Sequence, residues 1–154
     1  MPGNRAGAFI SPKALVREVE FAAGSLPFTI GLQMYSAQLL DHFQNPRNVG
    51  EIAGADAMAE IENPACGDVL RLTLKSSAGR ITQAQFKAKG CVASIACGSA
   101  LTELVVGKTL NEARNLRRED VSAAVGGLPR ASTHAAHLAL DALSAALSRI
   151  NPVV

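Results

Sequence analysis

Hydrophobic and polar positions alternate most regularly between residues 69 and 89. Leu70, Leu72 and Leu74 fall on one side of an extended segment, with Arg71, Thr73 and Lys75 on the other. Val69–Ser76 therefore reads as a half-buried strand. The run Ser76-Ser77-Ala78-Gly79 marks a turn, and alternation resumes over Ile81–Lys89, where Ala84, Phe86 and Ala88 oppose Gln83, Gln85, Lys87 and Lys89. A weaker alternation over Ala57–Glu62 puts Ala59 and Ile61 on one side. Together these predict a meander of about three antiparallel strands with one wet face.

Elsewhere the period changes to that of helices. Ser36 can cap a helix through Phe43, with Leu39, Leu40 and Phe43 forming its apolar stripe and Asn45-Pro46 ending it. Ala93–Val106 is small and apolar, and Gly107 stops it. Short helical segments follow from Thr109 to Asn115 and from Arg118 to Val125. Ser132 or Thr133 is positioned to cap a last helix reaching about Ile150, with Leu140, Leu143, Leu147 and Ile150 spaced for burial. Strands first and helices afterwards predict an α+β domain: a small antiparallel sheet with helices packed on one face.

Composition agrees with a globular chain, since 48% of the 154 residues are hydrophobic and 18% charged. A net charge of +2, without a basic stripe interleaved with aromatics, argues against a nucleic-acid partner. No apolar run approaches the roughly 20 residues that span a bilayer, so no membrane role is expected. The three cysteines form no paired framework and read as reduced thiols, which makes a cytoplasmic location the default. Residues 1–33 are punctuated by Gly and Pro and read as a poorly ordered N-terminal extension ahead of a domain over 34–150. Arg5, Lys13 and Arg17 hint at a transit peptide, but Glu18 and Glu20 argue against it.

The chemistry concentrates in three places. Cys66-Gly67-Asp68 sets a soft and a hard ligand two positions apart, where an extended backbone would point both to the same side. Gly90-Cys91 lies between a strand and a helix, so its thiol faces the positive end of that helix, which suits an anionic ligand. His134 opens the last helix in a similar setting. The candidate metal set is Cys66, Asp68, Cys91 and His134. The bland alternatives are a core cysteine, a carboxylate bonded to loop amides and a surface histidine. Cys97, in the middle of a helix, reads as core; His137 reads as ordinary helix, and His42 as structural or facing a partner.

Several stretches then match one family in order. Asp41-His42-Phe43-Gln44-Asn45-Pro46-Arg47-Asn48-Val49-Gly50, after Met34-Tyr35-Ser36, resembles the opening of IscU/NifU-type iron–sulfur cluster assembly scaffolds. Pro64-Ala65-Cys66-Gly67-Asp68-Val69 and Phe86-Lys87-Ala88-Lys89-Gly90-Cys91 are similar to its two cysteine motifs. Gly107-Lys108-Thr109-Leu110 and Leu128-Pro129 through His134 supply later landmarks. The resemblance implies an IscU/SufE-like fold. It also implies Cys66, Asp68 and Cys91 as cluster ligands, with His134 completing the set. The implied function is a non-enzymatic scaffold that accepts sulfur from a cysteine desulfurase, binds iron, assembles a transient [2Fe–2S] cluster and passes it to apo iron–sulfur proteins. A ferredoxin or a chaperone would be a further partner. The alternative within the same family is a SufU-like zinc-binding sulfur acceptor that stimulates a cysteine desulfurase. Two departures stand out. Ala135 occupies the position of the family's third cysteine, and Arg130-Ala131-Ser132 replaces its Pro-Val-Lys chaperone-recognition stretch.

Overall fold

A computed structural model describes residues 34–150. The reading given above for residues 1–33 lies outside the described part. Helix α1 (Ala37–Gln44) is followed by strands β1 (Ala57–Glu62), β2 (Val69–Ser77) and β3 (Arg80–Lys89). Helices α2 (Val92–Val105), α3 (Leu110–Arg114), α4 (Arg118–Ala124) and α5 (His134–Leu147) complete the domain, with a 3-10 turn at Arg130–Ser132. The three strands form one antiparallel sheet in the order β1-β2-β3. This is the expected α+β architecture.

Local chemistry accounts for the elements. In α1 the Ser36 hydroxyl accepts from the Leu39 amide at 2.9 Å, as an N-cap does. Between β2 and β3 the turn Ala78-Gly79 has both residues at positive φ, +54° and +77°, the twist-matched geometry of a tight hairpin. Helix α3 starts on a capping box in which Thr109 and Glu112 satisfy each other's backbone amides.

Leu70, Leu72 and Leu74 of β2 and Phe86 of β3 turn one sheet face inward, against α2 and α5. Helix α2 is buried on nearly every side, which explains its small residues. A β-carbon at Gly98 would lie 2.6 Å from the Phe86 ring, so the backbone of α2 packs directly on that ring with no helix side chain between them. Replacing Gly98 by valine should therefore cost about 1–3 kcal/mol through overpacking. Urea unfolding reads this directly, and an unchanged midpoint would refute such close contact.

Three expectations need correction. Thr73 was placed on the wet face but is buried, because the loop after α1 crosses it and the Ile52 amide donates to its hydroxyl at 3.1 Å. That loop also pairs with the free edge of β3, where the Phe86 amide donates to Asn48 O at 3.0 Å and the Gly50 amide to Phe86 O at 2.9 Å. Neither Ser132 nor Thr133 caps α5: the 3-10 turn runs straight into it, Thr133 is already helical, and its hydroxyl donates back to Arg130 O. On α5 itself Leu140 is only half-buried. The buried stripe runs instead through Ala135, Leu138, Ala139, Ala142, Leu143 and Leu147, because alanines let the helix lie close on the sheet.

Candidate metal centre

The sheet register explains why distant residues meet. Glu62 pairs with Val69, and Val69 pairs with Lys89, so the β1–β2 loop and the β3–α2 junction leave the sheet at one end. Asp68 and Gly90 are each the next residue beyond that last pair. The Asn63 amide donates to Asp68 O at 2.8 Å and continues the ladder into the loop. Helix α5 packs across β1 and β2 and brings its first residue, His134, to the same end, where it shares a small cavity with Glu62, Asn63 and Pro64.

Cys66 and Asp68 converge for a different reason from the one their spacing suggested. The segment is not extended. Asn63 closes it with its carbonyl on the Gly67 amide (2.7 Å) and its side chain on the Ala65 amide (2.9 Å), and Gly67 takes φ +78°. A left-handed residue there favours glycine. The turn leaves Cys66 exposed while Asp68 points inward and is 6% exposed. A β-carbon on Gly90 would sit 2.5 Å from the Asp68 carboxyl carbon, so the carboxylate lies directly against bare backbone.

Potential donor atoms of Cys66, Asp68 and His134 all lie within 4.8 Å of one another. His134 Nε2 is 3.7 Å from Asp68 Oδ2 and 4.0 Å from Cys91 Sγ. Metal–ligand bonds of 2.0–2.3 Å in a tetrahedron set donors about 3.3–3.8 Å apart. The group of Cys66, Asp68 and His134 must therefore contract by up to about 1 Å to close on one ion. Cys91 is not part of that group and meets it through His134. The chemistry of the set, two sulfurs, a carboxylate and an imidazole, fits zinc or iron. Burial pushes the Asp68 carboxyl up, but the hydrogen bond from Ser94 foremost, with the neighbouring thiols of Cys91 and Cys66 and the Cys91 backbone, outweighs it and leaves the pKa lowered.

Ser94, which the sequence pattern does not single out, belongs to the site as well. Its hydroxyl donates to Asp68 Oδ2 at 2.6 Å and lies 3.4 Å from Cys91 Sγ. The one available signal was its place three residues into a helix that starts at Cys91. The remaining candidates are occupied elsewhere. His137 Nε2 accepts from Arg118 at 2.9 Å. His42 is buried with Nδ1 2.7 Å from the Ser99 hydroxyl, and burial foremost, then Arg47, holds its pKa below the ordinary histidine value. Cys97 is fully buried in the core, and burial, with a lesser contribution from Cys91, pushes its thiol up to about 12. Ala135, at the third-cysteine position, is buried too. Iodoacetamide should therefore label Cys66 first in the native protein and Cys97 only after denaturation. Peptide mapping would show it, and rapid native labelling of Cys97 would contradict this packing.

The NifU-like N terminal domain matches residues 34–151. The chain belongs to that family. Among curated relatives, an iron-sulfur cluster assembly scaffold protein IscU of Archaeoglobus fulgidus is 46% identical over 114 residues, covering 74% of each chain. The protein of that name from Escherichia coli is 40% identical over 118 residues, 74% of this chain and 91% of its own length. Among solved structures, a NifU-like N-terminal protein from Brucella abortus superposes with a TM-score of 0.64 at 22% identity, covering 76% of this chain and 94% of that one. That likeness shows the fold. Among the described residues of this NifU-like domain, no helix is long and apolar enough to cross a membrane.

Proposed function

We propose that this protein is an iron–sulfur cluster assembly scaffold. It accepts sulfur from a cysteine desulfurase, binds iron, holds a transient [2Fe–2S] cluster and hands it to apo iron–sulfur proteins. The observation that carries the reading is the meeting of Cys66, Asp68 and His134 donor atoms within 4.8 Å, with Cys91 Sγ alongside. Family membership and the scaffold names of the relatives support it.

Each side chain then has a role. The exposed Cys66 and the half-exposed Cys91 are the sulfur acceptors, since Cys97 is sealed in the core and Ala135 has no thiol. A thiolate attacks the outer sulfur of the desulfurase persulfide. The donor S–S bond breaks, the donor cysteine leaves as thiolate, and the persulfide now sits on this chain. A reductant of the ferredoxin class supplies the two electrons that convert that sulfur to sulfide. Thiolates grip iron firmly, whereas carboxylate and imidazole grip it less, so the mixed set suits a cargo that must leave. The working unit is residues 34–150, and reduced thiols fit the cytoplasm. The scaffold performs no turnover of its own.

Anaerobic reconstitution with iron, cysteine and a desulfurase tests this. The expected product is brown, with the visible spectrum of a [2Fe–2S] centre that is lost in Cys91→Ser and moves to an apo-protein on mixing. The donor set fits tetrahedral zinc equally well. A colourless protein that keeps zinc and raises desulfurase turnover would replace the scaffold reading with a zinc-dependent sulfur acceptor. Neither cluster nor zinc would overturn both.

A further inference from the structure

The Ser94 hydroxyl is fully buried, yet it does not serve its own helix. A serine inside a helix commonly bonds back to a carbonyl one turn earlier. Ser94 instead reaches out of α2 to Asp68 Oδ2 at 2.6 Å, a length typical of a hydroxyl bonded to a charged oxygen. With its single hydrogen committed there, it meets Cys91 Sγ, 3.4 Å away, only as an acceptor. One buried atom thus touches two of the four candidate ligands.

Among the described residues, the Ser94 hydroxyl makes the one side-chain hydrogen bond to the Asp68 carboxylate, while the His134 ring stays 3.7 Å from it. A serine hydroxyl keeps its hydrogen whether or not a metal is bound, so this bond can hold the carboxylate in either state. Beside Oδ1, Gly90 offers the carboxylate only backbone, at a distance no β-carbon could tolerate. The carboxylate is therefore held by a hydroxyl at one oxygen and by the Gly90 backbone on its flank.

We propose that Ser94 is a positioning residue that fixes Asp68 for metal binding, through the buried hydroxyl–carboxylate bond at the base of the site. The inference rests on the ligand set proposed above and adds a residue that touches no metal itself. Partners of this kind behind a ligand typically change metal affinity 10- to 100-fold when removed.

The test uses the full chain, Zn²⁺ as probe and competition with a chelating dye as readout. Ser94→Ala should bind Zn²⁺ roughly tenfold more weakly or worse. Alanine is smaller and an excellent helix former, so α2 should persist, which circular dichroism checks. In an Asp68→Ala background the same Ser94→Ala change should cost under about threefold, because the positioned ligand is gone. A Co²⁺-loaded Ser94→Ala protein should show altered d–d bands with its sulfur-to-metal charge transfer retained, which a general loss of packing would not produce. Wild-type affinity in Ser94→Ala, or an equal loss with and without Asp68, would overturn the positioning role. Failure of the wild-type protein to bind Zn²⁺ or Co²⁺ would instead overturn the ligand set itself.

Discussion

Replacing Gly90 by alanine should remove metal binding while leaving the fold intact. The added β-carbon would lie 2.5 Å from both the carboxyl carbon and Oδ1 of Asp68, and 2.9 Å from its β-carbon. No real contact is that short, so the carboxylate must swing away. It then loses the 2.6 Å bond from Ser94 and its 3.7 Å approach to His134. Removing the positioning of a ligand costs on the order of 10- to 100-fold in affinity, and displacing the ligand outright belongs at the upper end. Gly90 also has φ +155°, which an alanine adopts only with strain, so the junction leading to Cys91 shifts with the carboxylate. The strain is confined to this junction, and far-UV circular dichroism should keep its helix and strand signal. Zn²⁺ affinity within twofold of wild type would mean that Asp68 is not a ligand in the place described.

Phe86→Ala should have the largest effect on stability. The ring is 1% exposed and faces Gly98 of α2. Its backbone pairs with Leu72 on one side and with the Asn48–Gly50 segment on the other. Truncation leaves a cavity that neither sheet nor helix can close, at about 3–5 kcal/mol, a large share of the roughly 5–15 kcal/mol typical of a whole domain. A chemical denaturation midpoint reads the loss, and a cost below about 1 kcal/mol would contradict this packing. The site should loosen as well, because α2 carries Cys91 at its cap and Ser94 in its first turn.

The parts of the structure visible in the sequence were those set by local periodicity. Alternation through Leu70, Leu72 and Leu74 located β2 because one face of that strand is buried and a side chain can answer only to its own face. Thr109 and Gly107 marked their helix ends because capping is a matter of a few neighbouring residues. Cys97 read as core from its place in an apolar helix, and it is core. What failed depended on chain crossing from elsewhere or on a local turn that periodicity does not encode. Thr73 looked solvated until the loop after α1 crossed it. Thr133 looked like a cap until a 3-10 turn made it part of the helix.

The candidate site shows the same division. Cys66, Asp68, Cys91 and His134 could each be named from residue type and position. Their geometry could not, and the extended-strand argument for Cys66 and Asp68 was wrong in its premise: an Asn63 turn with a left-handed Gly67 brings them together. Gly90 stands in the sequence only as the residue between a strand and a helix, yet its missing side chain is the space the carboxylate lies against. Ser94 gave almost no signal, because a serine in a small-residue helix is unremarkable until its hydroxyl is seen facing Asp68.

X-ray absorption at the zinc edge of the Zn²⁺-loaded protein tests the convergence most directly. One ion held by Cys66, Cys91, Asp68 and His134 predicts two sulfurs at about 2.3 Å and two nitrogen or oxygen neighbours at about 2.0–2.1 Å. Substitution of Cys66 or Cys91 by serine should remove one sulfur each. A first shell of nitrogen and oxygen alone, or one unchanged by either substitution, would contradict it.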